Sequence, residues 1–278
     1  METLPKPTFS VTAKEIFEIC ISGFSDKLLQ IDLLACSTYV EKDSLTFCGS
    51  IPELLHTIQK NPVLPKGITK DHMIKVYSDK FAKKNTPGRI YYDKLLSAPQ
   101  GGRCPICGVR LVKNLDHYLP KAFYPTLVVT PENLIPTCRD CNFDKHAYTI
   151  SKPEEAPLHP YFDDISDEIW LVVNLMPHKT ALYDVECPET WTEINKMRIK
   201  RHLQLYNLDE FYASKSAQEI ADNIFYWQQI FSDCGEVQLL DHLIGSCASI
   251  EKNQLNSWRA ALYRGLVNQF DELKKWLT

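Results

Sequence analysis

Two Cys-x-x-Cys pairs, Cys104–Cys107 and Cys138–Cys141, constrain this chain more than any other feature. Each knuckle can place two thiolates on one side of a tetrahedral ion, and four thiolates close a structural zinc site with no vacancy for substrate. Turn formers beside the thiols, Pro105 and Gly108, favour metal over a redox dithiol. The chain has ten cysteines, and without a secretion signal they read as metal ligands and buried thiols, not disulfides. The other six (Cys20, Cys36, Cys48, Cys187, Cys234 and Cys247) read as small buried hydrophobes. Between Cys107 and Cys138 lie 30 residues, more than a simple ribbon needs, so a functional segment is expected there.

Within that insert, VRLVKNLDH alternates well enough to be a strand leaving the first knuckle, and NLIPT can return beside it. CNFDKHAYTI then starts a helix at the second knuckle. The expected unit is strand, loop, strand and helix, pinned at both ends by zinc. Asp116 and His117 fall where the first strand ends, just before Leu119-Pro120, where the regular pleat need not continue.

Three motifs follow in order: Asp116-His117-Tyr118-Leu119-Pro120-Lys121, Asn133-Leu134, and Cys138-Arg139-Asp140-Cys141-Asn142-Phe143-Asp144-Lys145. Over about 50 residues they resemble the HNH nuclease family, whose catalytic unit is a ββα-metal finger. The chain departs from the family name at its third letter, where Asn142 replaces histidine. Asparagine stands there in many members, and either residue can bind a divalent ion through a neutral N or O atom.

The resemblance implies a metal-dependent endonuclease that hydrolyses phosphodiester bonds, with DNA favoured over RNA. His117 suits a general base, since imidazole titrates near neutrality. Asp116 and Asn142 would supply hard oxygens to one catalytic Mg2+ or Mn2+. By analogy Asn133 holds the loop that aims His117, while Lys145 and Lys121 are candidate phosphate contacts. His146 is a weaker stand-in for the absent histidine. Structural Zn2+ on Cys104, Cys107, Cys138 and Cys141 is a separate ion. Two alternatives stand beside this reading: an RNA nuclease, for example on tRNA, with the same fold, and a catalytically silent zinc-stabilised binding subunit.

The expected fold class is α+β, mainly helical around that central finger. A helical region is expected over 1–98, the finger over 99–152, and a β-hairpin plus helices over 153–278. Helical spacing is read in VTAKEIFEICISGF, IPELLHTIQ, ITKDHMIKVYSDKFAKK and RIYYDKLLSA. After a proline-spaced linker, IWLVVNLM and TALYDVE are expected to pair across Pro177-His178-Lys179. Leu255, Trp258, Leu262, Leu266, Phe270, Leu273 and Leu277 would then line one helix and face a core.

Charge is uneven. Residues 1–98 carry 13 basic and 11 acidic side chains, 99–152 carry 7 and 4, and 153–278 carry 11 and 20. Only the first half suits a polyanion, chiefly through Lys66, Lys70, Lys75, Lys80, Lys83, Lys84 and Arg89. A second basic run, Lys196, Arg198, Lys200, Arg201 and His202, reads as a solvated helix face. No apolar run is long enough to span a bilayer, so a cytoplasmic protein is expected. The layout is similar to bacterial anti-phage HNH effectors of Septu and retron type, which implies a protein partner such as an ATPase.

Overall fold

The computed structural model describes residues 1–277. The chain is α+β and mainly helical, with two small antiparallel sheets and a buried four-cysteine cluster. It forms two compact units, one over Glu2–Asp163 and one from Asp164 onward.

In the first unit, α1 (Ala13–Ser22) begins at Thr12, whose hydroxyl accepts from the Glu15 N–H while the Glu15 carboxylate accepts from the Thr12 N–H. The helix buries Ile16, Phe17, Cys20 and Ile21, the stripe expected from its spacing. Then come α2 (Lys27–Leu34) and α3 (Ser37–Ser50). The helix expected in IPELLHTIQ does not form. Pro52 disfavours helical geometry at the residue before it, Ile51 is extended at ψ 134°, and only a 3-10 turn follows at Leu55–Thr57.

Helix α4 (Lys70–Lys75) runs into a π-helical stretch, Val76–Phe81. At Gly88, just before α5 (Arg89–Leu96), a Cβ would press on Cys20 Sγ and lie 2.7 Å from the Lys80 carbonyl oxygen. Only glycine lets α5 close on α1 there.

Strands β1 (Asn114–His117) and β2 (Leu134–Thr137) pair antiparallel, with Asp116 opposite Ile135 and His117 opposite Leu134. The first strand is shorter than expected because residues 103–111 close the knuckle hairpin instead, with Arg103 bridging Leu111. Helix α6 (Arg139–Lys145) follows at once. It stops at His146, whose φ of 47° lies in the left-handed region, so the helix is also shorter than expected. Leu115, Val128, Val129 and Leu134 share one core with α1, α2, the π-helical stretch and α5. The cysteine-flanked segment therefore rests on the N-terminal helices. The proline-spaced segment packs down too: Ala156, Leu158 and Tyr161 are buried, and the Tyr161 hydroxyl donates to the Leu134 carbonyl.

In the second unit, β3 (Leu171–Met176) and β4 (Thr180–Val185) form the expected hairpin. His178 and Lys179 take φ of 64° and 59° to make its turn. Five helices follow: α7 (Glu193–Leu205), α8 (Leu208–Cys234), α9 (Glu236–Asn253), α10 (Trp258–Asn268) and α11 (Phe270–Leu277). The terminal apolar stripe does bury Leu262, Leu266, Leu273 and Leu277, but it is divided between α10 and α11. Gln269, at the break, accepts from the Leu175 N–H and donates to the Val173 carbonyl. Its amide satisfies the open edge of β3 as a neighbouring strand would.

Candidate functional site

The cysteine cluster closes as the spacing required. The sulfurs of Cys104, Cys107, Cys138 and Cys141 lie within 4.8 Å of one another, and all four residues are buried. A tetrahedral zinc site with arms of about 2.3 Å has edges of about 3.8 Å, so small side-chain movements suffice to hold a structural metal such as zinc. Gly108, at φ 67°, turns the first knuckle, and its N–H donates to the Cys104 carbonyl. Cys138 caps α6, with its sulfur accepting from the Cys141 N–H at 3.4 Å. Thiol-to-thiol hydrogen bonds lower the Cys107 and Cys138 thiols and raise those of Cys104 and Cys141. Four thiolates this close require a cation, because repulsion forbids full ionisation without one.

Strand β1 and helix α6 bring together three of the polar residues singled out in the sequence, Asp116, His117 and Lys145. His117 is 5% exposed, and its Nε2 lies 3.0 Å from the Val128 carbonyl oxygen. A carbonyl only accepts, so Nε2 carries the proton and the basic lone pair is on Nδ1. Burial, reinforced by the positive charge of Lys121, pushes the imidazole down to about 3. The ring is therefore neutral at physiological pH.

Asp116 points toward α6, where the Lys145 ammonium lies 3.0 Å from its carboxylate. Burial pushes the Asp116 carboxyl up, and Lys145 opposes that shift. Lys145 is only 2% exposed and also donates to the His117 carbonyl at 2.7 Å. This residue, expected at phosphate, is thus turned inward onto the Asp116-His117 pair. Lys121 is half-buried, with its ammonium 4.7 Å from the centre of the Tyr77 ring. Asn142 is half-buried on α6, three residues before Lys145 and so on the same helix face. His146 is exposed at the helix end, its ring tilted against that of exposed Phe143 with centroids 4.6 Å apart.

Asn133 is fully buried, and its amide spans the loop between the strands. Oδ1 accepts from the Leu119 N–H at 2.7 Å, while Nδ2 donates to the carbonyls of Leu119 at 3.1 Å and Leu127 at 3.3 Å. Because Val128 holds His117, fixing Leu127 also fixes the partner of the imidazole.

Sequence reasoning missed Tyr77. From the π-helical stretch its ring meets the His117 imidazole edge-on at 4.4 Å, and its hydroxyl donates to the Leu115 carbonyl at 3.2 Å. The usable signal was a tyrosine on the apolar face of ITKDHMIKVYSDKF, which by itself reads as core.

Of the first basic run, Lys66, Lys70, Lys75, Lys83 and Lys84 are exposed. Lys80 instead donates to the Gly23 carbonyl and Arg89 pairs with Asp93. In the second run Arg198 and His202 are each 1% exposed, so it is not a continuous basic face. No helix among the described residues is long and apolar enough to cross a membrane.

Comparison with known proteins gives two likenesses. The chain is 31% identical to protein ea31 of Escherichia phage lambda over an alignment of 302 residues covering 98% of each. It is also 33% identical to the Septu protein PtuB of Bacillus thuringiensis over 87 residues, which is 30% of this chain and 33% of that one. No protein-family profile matches the chain, and no solved structure does.

Proposed function

The chain belongs to the family of the phage lambda protein ea31, and we propose that it is a metal-dependent HNH endonuclease hydrolysing phosphodiester bonds in nucleic acid, DNA ahead of RNA. The observation that carries this reading is the convergence of Asp116, His117 and Lys145 on one buried site beside the four-cysteine cluster, its loop clamped by Asn133. In it β1, β2 and α6 are the ββα-metal finger. Zinc on the four cysteines would stabilise a unit too small to fold on its own core. The helical region over 1–98 then supports the finger of 99–152, and 153–278 contributes the hairpin and the remaining helices.

Each side chain has a task in this chemistry. His117 starts neutral, as a base must, with Nδ1 free of the carbonyl that holds Nε2. The negative charge of an arriving phosphodiester raises its proton affinity, so it can take a proton from the attacking water as that water adds to phosphorus. Asp116 and Asn142 offer a carboxylate and an amide oxygen from β1 and α6, a donor set that suits Mg2+ or Mn2+. Such an ion, when bound, neutralises charge on the scissile phosphate and the leaving oxygen. Lys121 and the exposed lysines of residues 66–84 are the candidate backbone contacts, which position nucleic acid without reading its sequence.

The Septu likeness supports an anti-phage role; a cytoplasmic location and an ATPase partner remain expectations from the sequence. A second reading, a zinc-stabilised binding subunit without activity, draws on the burial of His117 and the Asp116–Lys145 ion pair. Incubating zinc-loaded protein with plasmid and with total RNA, each with Mg2+ or Mn2+, tests these readings. The proposal expects plasmid nicking or linearisation. RNA cleavage alone moves the substrate to RNA, and intact plasmid and RNA favour the silent subunit.

A further inference from the structure

We propose that Lys145 is a built-in competitor for the catalytic cation, so that the divalent ion binds only together with the phosphodiester; this rests on the endonuclease reading above. The ammonium of Lys145 sits 3.0 Å from the Asp116 carboxylate, where a metal ligand would need its cation. It is anchored by a second bond, to the His117 carbonyl at 2.7 Å, and is almost completely shielded from water. A surface lysine would yield to an ion easily, whereas this one is held in place by the fold.

The local charge count gives the direction of the effect. The Asp116 carboxylate already faces the Lys145 ammonium at 3.0 Å, so its negative charge is met by a positive one before any metal arrives. Asn133 and Asn142 are uncharged amides. A divalent cation approaching Asp116 alone must displace this buried ammonium, against repulsion that water screens poorly. A phosphodiester reverses that balance by bringing a negative charge and its own oxygen ligands. Ion and nucleic acid should then raise each other's affinity by the same factor, as linkage requires. A nuclease built this way stays metal-free until its substrate arrives.

The test is Mn2+ binding to zinc-loaded protein without nucleic acid, read as loss of the free Mn2+ electron-spin-resonance signal. Wild type should show no stoichiometric site below about millimolar Mn2+, whereas Lys145→Met should gain one site per chain, tighter by roughly tenfold or more. Lys145→Gln keeps a donor for the His117 carbonyl and gives the same reading if the methionine variant folds poorly. Lys121→Met, at a half-buried position, should shift affinity in the same direction by less. Mn2+ should also raise the melting temperature of Lys145→Met but not of wild type.

Stoichiometric Mn2+ binding by wild type at micromolar concentration overturns the inference. So does a folded, zinc-loaded Lys145→Gln that gains no site. If wild type still cleaves in either case, the endonuclease reading survives and only the competitor role falls. If Lys145→Met gains an ion while wild type cleaves nothing, the endonuclease reading falls and the role of Lys145 before catalysis falls with it, leaving a lysine that excludes a cation from Asp116.

Discussion

The Tyr77 ring meets the His117 imidazole edge-on, with centroids 4.4 Å apart, and joins the N-terminal helices to the candidate general base. The Tyr77 hydroxyl also holds the Leu115 carbonyl, fixing the backbone next to Asp116. The π-helical stretch that carries Tyr77 is a rare geometry found often at functional sites. Tyr77→Phe keeps the ring and should retain most activity, at a stability cost of about 0.5–1.5 kcal/mol for one lost hydrogen bond. Tyr77→Leu removes the aromatic edge and should lower the cleavage rate at least about tenfold while zinc content stays at one per chain. The His117 ring resonances should move with it; an unchanged ring environment in Tyr77→Leu would contradict the positioning role.

Asn133→Ala should destabilise the first unit by several kcal/mol, because buried groups of Leu119 and Leu127 lose their partners at about 1–3 kcal/mol each. Asn133→Asp keeps the acceptor for the Leu119 N–H but sets a buried carboxylate oxygen against the carbonyls of Leu119 and Leu127, and should be no more stable than alanine. Denaturant unfolding of the three proteins checks the order. Equal stability of Asn133→Ala and wild type would show that the amide does not clamp the loop.

How much of this site the sequence reveals follows from the range of the contacts. The two knuckles are legible because Cys-x-x-Cys spacing encodes a metal cluster, and Asp116-His117 and Asn133 stand out because they fall in short contiguous motifs. The β3–β4 hairpin is legible because its alternation and its turn are local. The inward Lys145 is not, since lysine is ordinarily a surface residue and its partners lie 28 and 29 positions earlier. Arg198 and His202 mislead in the same way, because local charge cannot reveal that a helix face is covered. IPELLHTIQ carries helical spacing, but Pro52 at its start overrides it.

His117 should resist protonation. Its pKa is lowered in the folded state, so the unfolded chain takes up the proton first as pH falls below about 6.5. Its contribution to stability is then present above about 6.5 and is lost progressively toward about 3. Asp116, raised by burial, runs the opposite way and favours the fold at low pH. Nitrogen-15 NMR of the His117 ring should therefore show neutral imidazole at pH about 5, where an ordinary histidine is largely protonated. A protonated ring at that pH would mean that the site is open to water.

Cys138→Ser should lose zinc and yield insoluble or unfolded protein, since it removes a metal ligand even though the serine hydroxyl can still cap α6. Strong chelation of wild type should melt β1, β2 and α6 while leaving the second unit folded, with hydrogen exchange as the readout. Protection of residues 114–145 that survives complete zinc removal would show that the metal does not hold this segment.

The most direct measurement compares cleavage by wild type and His117→Ala under Mn2+, with zinc content and nucleic-acid binding measured on the same preparations. His117 holds no structural metal, so its loss should leave zinc and binding nearly unchanged while the rate falls on the order of a hundred- to ten-thousandfold. Added Mn2+ should not restore it, whereas Asn142→Ala should recover in part. Cleavage by His117→Ala at the wild-type rate would contradict the endonuclease assignment, and a parallel loss of zinc would make His117 a structural residue instead of the base.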